Sequence, residues 1–511
     1  MTIALAAPHP EAVAAGKRAV AGGGNALDAA LAAAVMLTVV YPHQCALGGD
    51  LIALVRTPGG ETTAVIAAGT APAAISDVVS GWTEVPRQGA HAVTVPGIVA
   101  GWREIAAIGG RHDLSSAFTD AANVADGGFP VSAGLARAIA SRADAVEEDP
   151  GMRGVFAPAG IPLTQGETLR QPALAVTLRS LADDVDDFYR GGIARSLVDT
   201  LRAGGGTHTV EDFSAYAAEV VPALTRPIGE QTWHVAPPPS VGPVLIGVVT
   251  AATAGAAAGS VSGAILVDAA IRGVHARAAA LGDPRSSDID LDLLLDLGVR
   301  TPAPAFAEPR PLGDTAAVTA LDDEGWSVTI VQSVYQTFGA GLLDPGTGIM
   351  LHNRGSAFSV DPASPAAVRP GARPPHTLCP AIVDAPGVTV VAGCQGGRAQ
   401  AWILSQILPE AVDAEQALST ILDRPRWVVG DRDLGQPELS LVAEPGVAPD
   451  VLDRARENGL PVVRFPARAD EAGHVQLVRR ARGEITSGSD PRADGVGIVM
   501  HPDSATEQSI A

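Results

Sequence analysis

The sequence predicts a layered α/β (α+β) chain, and three observations carry that prediction. From Val95 to about residue 280 the apolar residues fall in helix-rich runs, broken by Pro-Gly stretches at 96–97 and 237–243. Residues 282–313 then turn acidic and proline-rich. From Thr315 onward the pattern changes to β-branched runs separated by short turns. Helices, connector and strands in that order predict sheets covered by helices, with a special junction near 314. At 511 residues the chain suits one large core or two domains.

Each element follows in turn. Gly22-Gly-Gly-Asn25-Ala-Leu-Asp28 reads as a loop giving way to a helix, with Asn25 as N-cap and Asp28 at the positive end of the helix dipole. The apolar run Ala29 to Val40 is too short to span a bilayer. Leu51-Ile-Ala-Leu-Val-Arg56 predicts a buried strand that ends at the turn Thr57-Pro-Gly-Gly60. Val244 to Gly259, diluted by Gly, Ala and Thr, predicts a buried helix rather than a membrane span. Gly282-Asp-Pro284, the acidic stretch Ser287 to Asp296, and Pro302, Pro304, Pro309 and Pro311 predict an extended surface connector. Thr315 to Leu321, a turn at Asp322-Asp-Glu-Gly325, and Trp326 to Val334 form a hairpin signal. Strand-like runs follow at 379–384 and 387–393.

Acidic residues outnumber basic ones 56 to 35, for a net charge of -21. Such a surface repels phosphate backbones and argues against a nucleic-acid partner. The opening residues lack the basic start and apolar core of a signal peptide, and no membrane association is expected. Three cysteines, Cys45, Cys379 and Cys394, form neither a disulfide framework nor a metal-ligand cluster, so no metal is expected and a reducing cytoplasm fits best.

No Gly-x-Ser-x-Gly elbow, Walker loop or His-Glu-x-x-His motif is present. The informative junction is Asp314-Thr315, where the connector meets a β-branched strand. A threonine hydroxyl is a poor nucleophile without an adjacent base. A free α-amine on the same residue supplies one, with an ordinary pKa of about 8. Freeing it requires cleavage of the peptide bond between Asp314 and Thr315. Taken alone, Asp-Thr is also an ordinary turn-to-strand dipeptide.

Longer stretches add a resemblance. Ala7-Pro-His-Pro10, Gly23-Gly-Asn25-Ala-Leu-Asp28, Val40-Tyr-Pro-His43, Leu47-Gly-Gly49, Val95-Pro-Gly97, Phe188-Tyr-Arg-Gly191, Asp314-Thr315-Ala-Ala-Val-Thr-Ala-Leu-Asp322, Pro345-Gly-Thr-Gly-Ile349 and Gly396-Gly397 occur in this order. Together they resemble the γ-glutamyltranspeptidase family of N-terminal nucleophile hydrolases across nearly the whole chain. The resemblance implies a four-layer α-β-β-α sandwich made as a precursor that cuts itself before the threonine. The products would be a large-subunit segment, 1–314, and a small-subunit segment, 315–511, held as a heterodimer in one composite domain. Thr315 would attack an acyl carbonyl, and water or an amine acceptor would release the acyl group from this small-molecule donor. No cofactor is implied. Ser333 falls where the family keeps a hydroxyl beside the nucleophile. Gly396 and Gly397 match the amides of the oxyanion hole, each worth about 3–4 kcal/mol in acyl transfer, with a tight turn as the bland alternative.

The substrate pocket departs from the family. The position of the arginine that holds the glutamyl carboxylate is Ala68, the aspartate for the α-amino group corresponds to Ala357, an asparagine position is Tyr335, and a serine pair has become His376-Thr377. Losing buried charged partners costs on the order of 2–5 kcal/mol, so ordinary γ-glutamyl binding is expected to be weak. Arg354 and His376 are candidates to hold a different carboxylate, unless they are a solvated charge and a turn histidine. Tyr335 would narrow the pocket, and Thr377, the other half of the changed serine pair, is a further substrate-binding candidate. These changes imply a small carboxylated acyl group of oxalyl type, on an amide or on a carbon–carbon bond as in antibiotic-pathway relatives. The competing readings are a γ-glutamyl enzyme with a rebuilt pocket and a non-catalytic scaffold.

Overall fold

The computed structural model describes residues 1–254, 261–297, 314–431, 434–501 and 508–509. Two antiparallel sheets stack face to face. The larger has eight strands in the order Gln508–Ser509, Val496–Met500, Ile3–Ala7, Asp314–Asp322, Ser327–Tyr335, Asp50–Arg56, Thr62–Ala67 and Glu219–Pro222. The smaller has six: Glu484–Ser489, Val475–Ala481, Val388–Cys394, Ala381–Ala385, Gln231–Val235 and Leu224–Ile228.

The apolar residues sort into layers. Ala4, Ile52, Ile66, Ala317 and Val331 of the larger sheet meet Ile382, Val391 and Val478 of the smaller one. The other face of the larger sheet packs under the helices Ala26–Val40, Ile98–Gly109, Ser115–Gly127 and Pro172–Asp183. The outer face of the smaller sheet packs under Gly242–Thr253, Gly263–Ala280 and Gln400–Ala411. Helices, sheet, sheet, helices: this is the expected four-layer sandwich.

The helix Ala26–Val40 shows why its sequence has no polar stripe, because all 15 residues are buried. Asn25 caps it as the sequence predicts. Its side chain accepts from the Leu27 and Asp28 amides at 2.9 and 3.2 Å, and Asp28 Oδ2 accepts from Asn25 N at 2.8 Å. Asp322, at the end of the neighbouring hairpin, accepts from Ala26 N at 3.2 Å and ties the helix start to the hairpin turn. The hairpin itself runs Asp314–Asp322 and Ser327–Tyr335, close to its sequence signal. The predicted helix after Val244 is Gly242–Thr253, and the later strand signals are Ala381–Ala385 and Val388–Cys394.

The connector differs from its sequence reading over 282–297. Asp283 is buried and paired with Arg373 at 2.8 Å, and Leu291–Leu295 is a short helix whose Leu294 and Leu295 are buried. The acidic composition hides an ion pair and an apolar turn, so this part is a packed corner rather than an exposed strap. Pro302, Pro304, Pro309 and Pro311 lie outside the described residues. No helix among the described residues is long and apolar enough to cross a membrane.

Candidate functional site

Alternation along the strand Asp314–Asp322 aims its residues. Ala316, Val318 and Ala320 pack beneath the helices, whereas Ala317 and Leu321 pack between the sheets. Thr315 is in phase with Ala317 and therefore faces between the sheets, 2% exposed. The partner strand carries a bulge at this point: Gln332 pairs with Ala316 and Tyr335 with Asp314, so Ser333 and Val334 together oppose Thr315. The bulge brings the hydroxyls together. Thr315 Oγ1 donates to Ser333 Oγ at 3.2 Å, and Ser333 Oγ also accepts from Tyr335 N at 2.8 Å.

Gly48 and Gly49 let the chain before Asp50 pass close to Met350 and Ser333. A Cβ on Gly48 would lie 2.2 Å from Met350 O, and one on Gly49 would lie 2.6 Å from Ser333 O. Asp50 follows immediately, paired with Ser333 in the strand register and 1% exposed. Its Oδ1 accepts from Gly69 N at 3.0 Å and Gly97 N at 3.3 Å. Its Oδ2 takes His376 Nε2 at 3.1 Å and lies 3.5 Å from His352 Nδ1. Burial, with Arg354 nearby, pulls His376 down to about 4, and burial does the same to His352, so both rings are neutral at pH 7.

Arg354 lies over the Tyr335 ring, its Cζ 3.3 Å from the centroid. It is 1% exposed, so it is not a solvated surface charge. Nη1 donates to Pro375 O at 3.1 Å, and Tyr335 supports the charge, whereas Nε and Nη2 have no hydrogen-bond partner of ordinary geometry among the described residues. Burial lowers this guanidinium to about 10, and it stays charged at neutral pH. His376 is no turn histidine in water either; it is held by Asp50. Thr377 beside it is buried, as are Ala68 and Ala357. Arg373 is tied to Asp283 and Glu219, a structural arrangement.

Gly396 and Gly397 sit where Val388–Cys394 passes into a short turn and the helix Gln400–Ala411. Both have positive φ, 151° and 52°, which glycine adopts without strain. Their N–H groups precede a helix N-terminus, and neither donates to an acceptor among the described residues. Gly396, Gly397 and Thr337 line a cleft of about 350 Å³. Among the described residues no group of three or more His, Cys, Asp or Glu side chains is arranged to hold a metal ion.

The sequence reading missed Asp50, His352 and the cleft residues His43 and His474. Asp50 left a signal: a carboxylate opening an otherwise apolar strand directly after a Gly-Gly pair.

The family model for γ-glutamyltranspeptidase matches residues 12–500. The chain belongs to the γ-glutamyltranspeptidase family. Its relatives include the oxamate amidohydrolase proenzyme of Klebsiella pneumoniae subsp. pneumoniae, 34% identical over 96% of this chain and 97% of that one. The glutathione hydrolase-like YwrD proenzyme of Bacillus subtilis is 32% identical over 97% and 98%. Among solved structures, the cephalosporin acylase of Bacillus halodurans superposes with a TM-score of 0.87 at 27% identity, covering 97% of this chain and 95% of its own. As a family member, this chain is an enzyme of the N-terminal nucleophile hydrolase class, an amidohydrolase or acyltransferase.

Proposed function

We propose that this enzyme cuts its own chain before Thr315 and then hydrolyses amides of a short, carboxylated acyl group of oxalyl type. Segments 1–314 and 315–511 remain together as the working heterodimer. The freed Thr315 amine takes the hydroxyl proton while Oγ1 bonds to the acyl carbonyl carbon. The carbonyl oxygen gains charge facing the Gly396 and Gly397 amides. Collapse breaks the C–N bond, the amine leaves with a proton, and water then releases the acid from the ester. Ser333 Oγ holds Thr315 Oγ1 in line for attack.

One observation carries the choice of acyl group. Arg354 is buried, charged, and has two nitrogens without a hydrogen-bond partner of ordinary geometry among the described residues, close to Tyr335 and hence to the Ser333–Thr315 pair. An arginine fork left unpaired out of water is costly unless a ligand carboxylate completes it. On this reading Tyr335, stacked against Arg354, narrows the pocket against a longer amino-acid head. The oxamate amidohydrolase relative supports the same acyl class. The three free, buried cysteines support a reducing compartment.

The test is release of ammonia from oxamate by purified enzyme, with a γ-glutamyl anilide alongside. Hydrolysis of oxamate, together with loss of both self-cleavage and turnover in Thr315→Ala, is the expected result. Turnover of the anilide in preference to oxamate would establish a γ-glutamyl enzyme instead, and an unbroken, inactive wild-type chain would establish a scaffold.

A further inference from the structure

Beside Arg354 lies one polar atom that a substrate carboxylate does not satisfy. Asp50 is in phase with Ile52 and Leu54, which pack between the sheets, so it faces the same layer as Thr315. Its pairing with Ser333 puts it at the same end of that layer. Asp50 Oδ1 accepts from the Gly69 and Gly97 amides, and Oδ2 meets His376 Nε2 at 3.1 Å. A carboxylate that accepts on both oxygens sets the tautomer of this ring, with the proton on Nε2. Burial, with Arg354 nearby, keeps the ring from taking a second proton at neutral pH. Nδ1 is then a bare lone pair. It is buried, and no donor among the described residues reaches it.

The ring is fixed in this pose. His376 N donates to Pro239 O at 2.7 Å, Pro375 O accepts from Arg354 Nη1 at 3.1 Å, and Ser240 Oγ donates to Leu378 O at 2.8 Å. Those bonds hold the chain on both sides of His376, and turning the ring would break its bond to Asp50. Arg354, bound to the carbonyl just before His376, keeps Nε and Nη2 without hydrogen bonds of ordinary geometry among the described residues. Two donor nitrogens and one acceptor nitrogen therefore stand together out of water. A carboxylate takes the donors but not the acceptor, because its oxygen at Nδ1 would set lone pair against lone pair. The ligand that completes all three carries an N–H directly beside its carboxylate. In an oxalyl amide that N–H is on the scissile nitrogen.

We propose that His376 is a specificity-determining residue whose Nδ1 accepts the N–H of the scissile amide, with Asp50 as the positioning residue that fixes its tautomer. The proposal deepens the oxalyl reading and rests on it. It makes the enzyme selective for amides that keep an N–H over esters of the same acid, since an ester oxygen brings a lone pair where a donor is needed.

Kinetics on oxamate and monoethyl oxalate, which share the oxalyl group, test this. His376→Gln keeps a donor for Asp50 and removes the acceptor, whereas His376→Asn places a carbonyl oxygen where Nδ1 stood. In His376→Gln, kcat/KM for oxamate is expected to fall about tenfold or more while that for the ester changes by less than about threefold. His376→Asn is expected to regain part of the loss on oxamate. Equal losses on both substrates would mark a purely structural histidine and overturn the proposal, as would an unchanged oxamate rate in His376→Gln. If neither variant self-processes, the wild-type enzyme decides. It is expected to cleave N-methyloxamate about tenfold or more faster than N,N-dimethyloxamate, which has no N–H, and equal rates would overturn the proposal. A self-cleaved wild-type enzyme that hydrolyses neither oxamate nor its ester removes the oxalyl reading itself. Hydrolysis of both, with no discrimination lost in His376→Gln, removes the role of His376 alone.

Discussion

Arg354 carries its charge where water does not reach, which makes it the residue most open to test. Its Nη1 donates to Pro375 O, and the Tyr335 ring covers one face. Removing a buried charge that a substrate carboxylate completes costs about 2–5 kcal/mol. Arg354→Gln is therefore expected to lower kcat/KM for oxamate by about two to three orders of magnitude, chiefly through KM, with self-cleavage retained. Wild-type turnover by that variant would remove Arg354 from the acyl site. At this scale the sequence was partly legible. Thr315 stood out at the junction of connector and strand, but its role and that of Ser333 were legible only through the family resemblance, since Ser333 alone reads equally as a strand serine facing solvent. The pairing of His376, which the resemblance had singled out, with Asp50 was not legible, since 326 residues separate them and no local pattern links a Gly-Gly-Asp turn to a distant histidine.

Among the elements, the bulge in Ser327–Tyr335 governs how close the two hydroxyls come, and the loop before Asp50 seats it. Gly49→Ala drives a methyl to 2.6 Å from Ser333 O, so either that carbonyl or the loop must move. The chain is expected to fold while self-cleavage slows at least tenfold, measured by the two bands on a denaturing gel over time. Cleavage at the wild-type rate would show that the bulge tolerates the shift. Regular elements were legible here because capping, turn residues and alternation are local. The corner at 282–297 was not, because Asp283 is neutralised by Arg373 and Glu219 lies beside that arginine, partners that only the tertiary fold supplies. The bulge left no mark in the sequence either, since a strand of buried residues reads the same with or without one extra residue.

For the whole molecule, buried histidines set the response to acid. Burial pulls His9, His208, His352 and His376 to about 4 and His43 to about 3. In the unfolded chain each takes a proton at about 6.5. Between those values the unfolded state binds more protons, so stability is full above about pH 6.5 and declines as pH falls towards 4. Each ring contributes up to about 3 kcal/mol to that decline, against a total stability of about 5–15 kcal/mol. Two or three such rings suffice to unfold the protein. Asp283, Asp384 and Asp470, which hydrogen-bonded cations hold near 2 against the opposing effect of burial, begin to lose their contribution only below about pH 4. Urea midpoints followed by tryptophan fluorescence are expected to fall steeply from about pH 6, and a midpoint unchanged at about pH 4.5 would contradict this. The four-layer order was legible only through the family resemblance, because composition and periodicity specify helices and strands but not which sheet faces which.

The order of strands in the larger sheet has a consequence for the life of the molecule. Asp314–Asp322 and Ser327–Tyr335 lie in the middle, flanked by Ile3–Ala7 on one side and Asp50–Arg56 on the other. Once the bond before Thr315 is broken, the smaller piece is a keystone gripped on both edges by the larger one. Such a mature pair is assembled by a history it no longer contains: the intact precursor could find this arrangement as one chain, but two severed pieces, once pulled apart, would each offer bare strand edges to any neighbour. The enzyme would then endure by the slowness of its opening rather than by its ability to return.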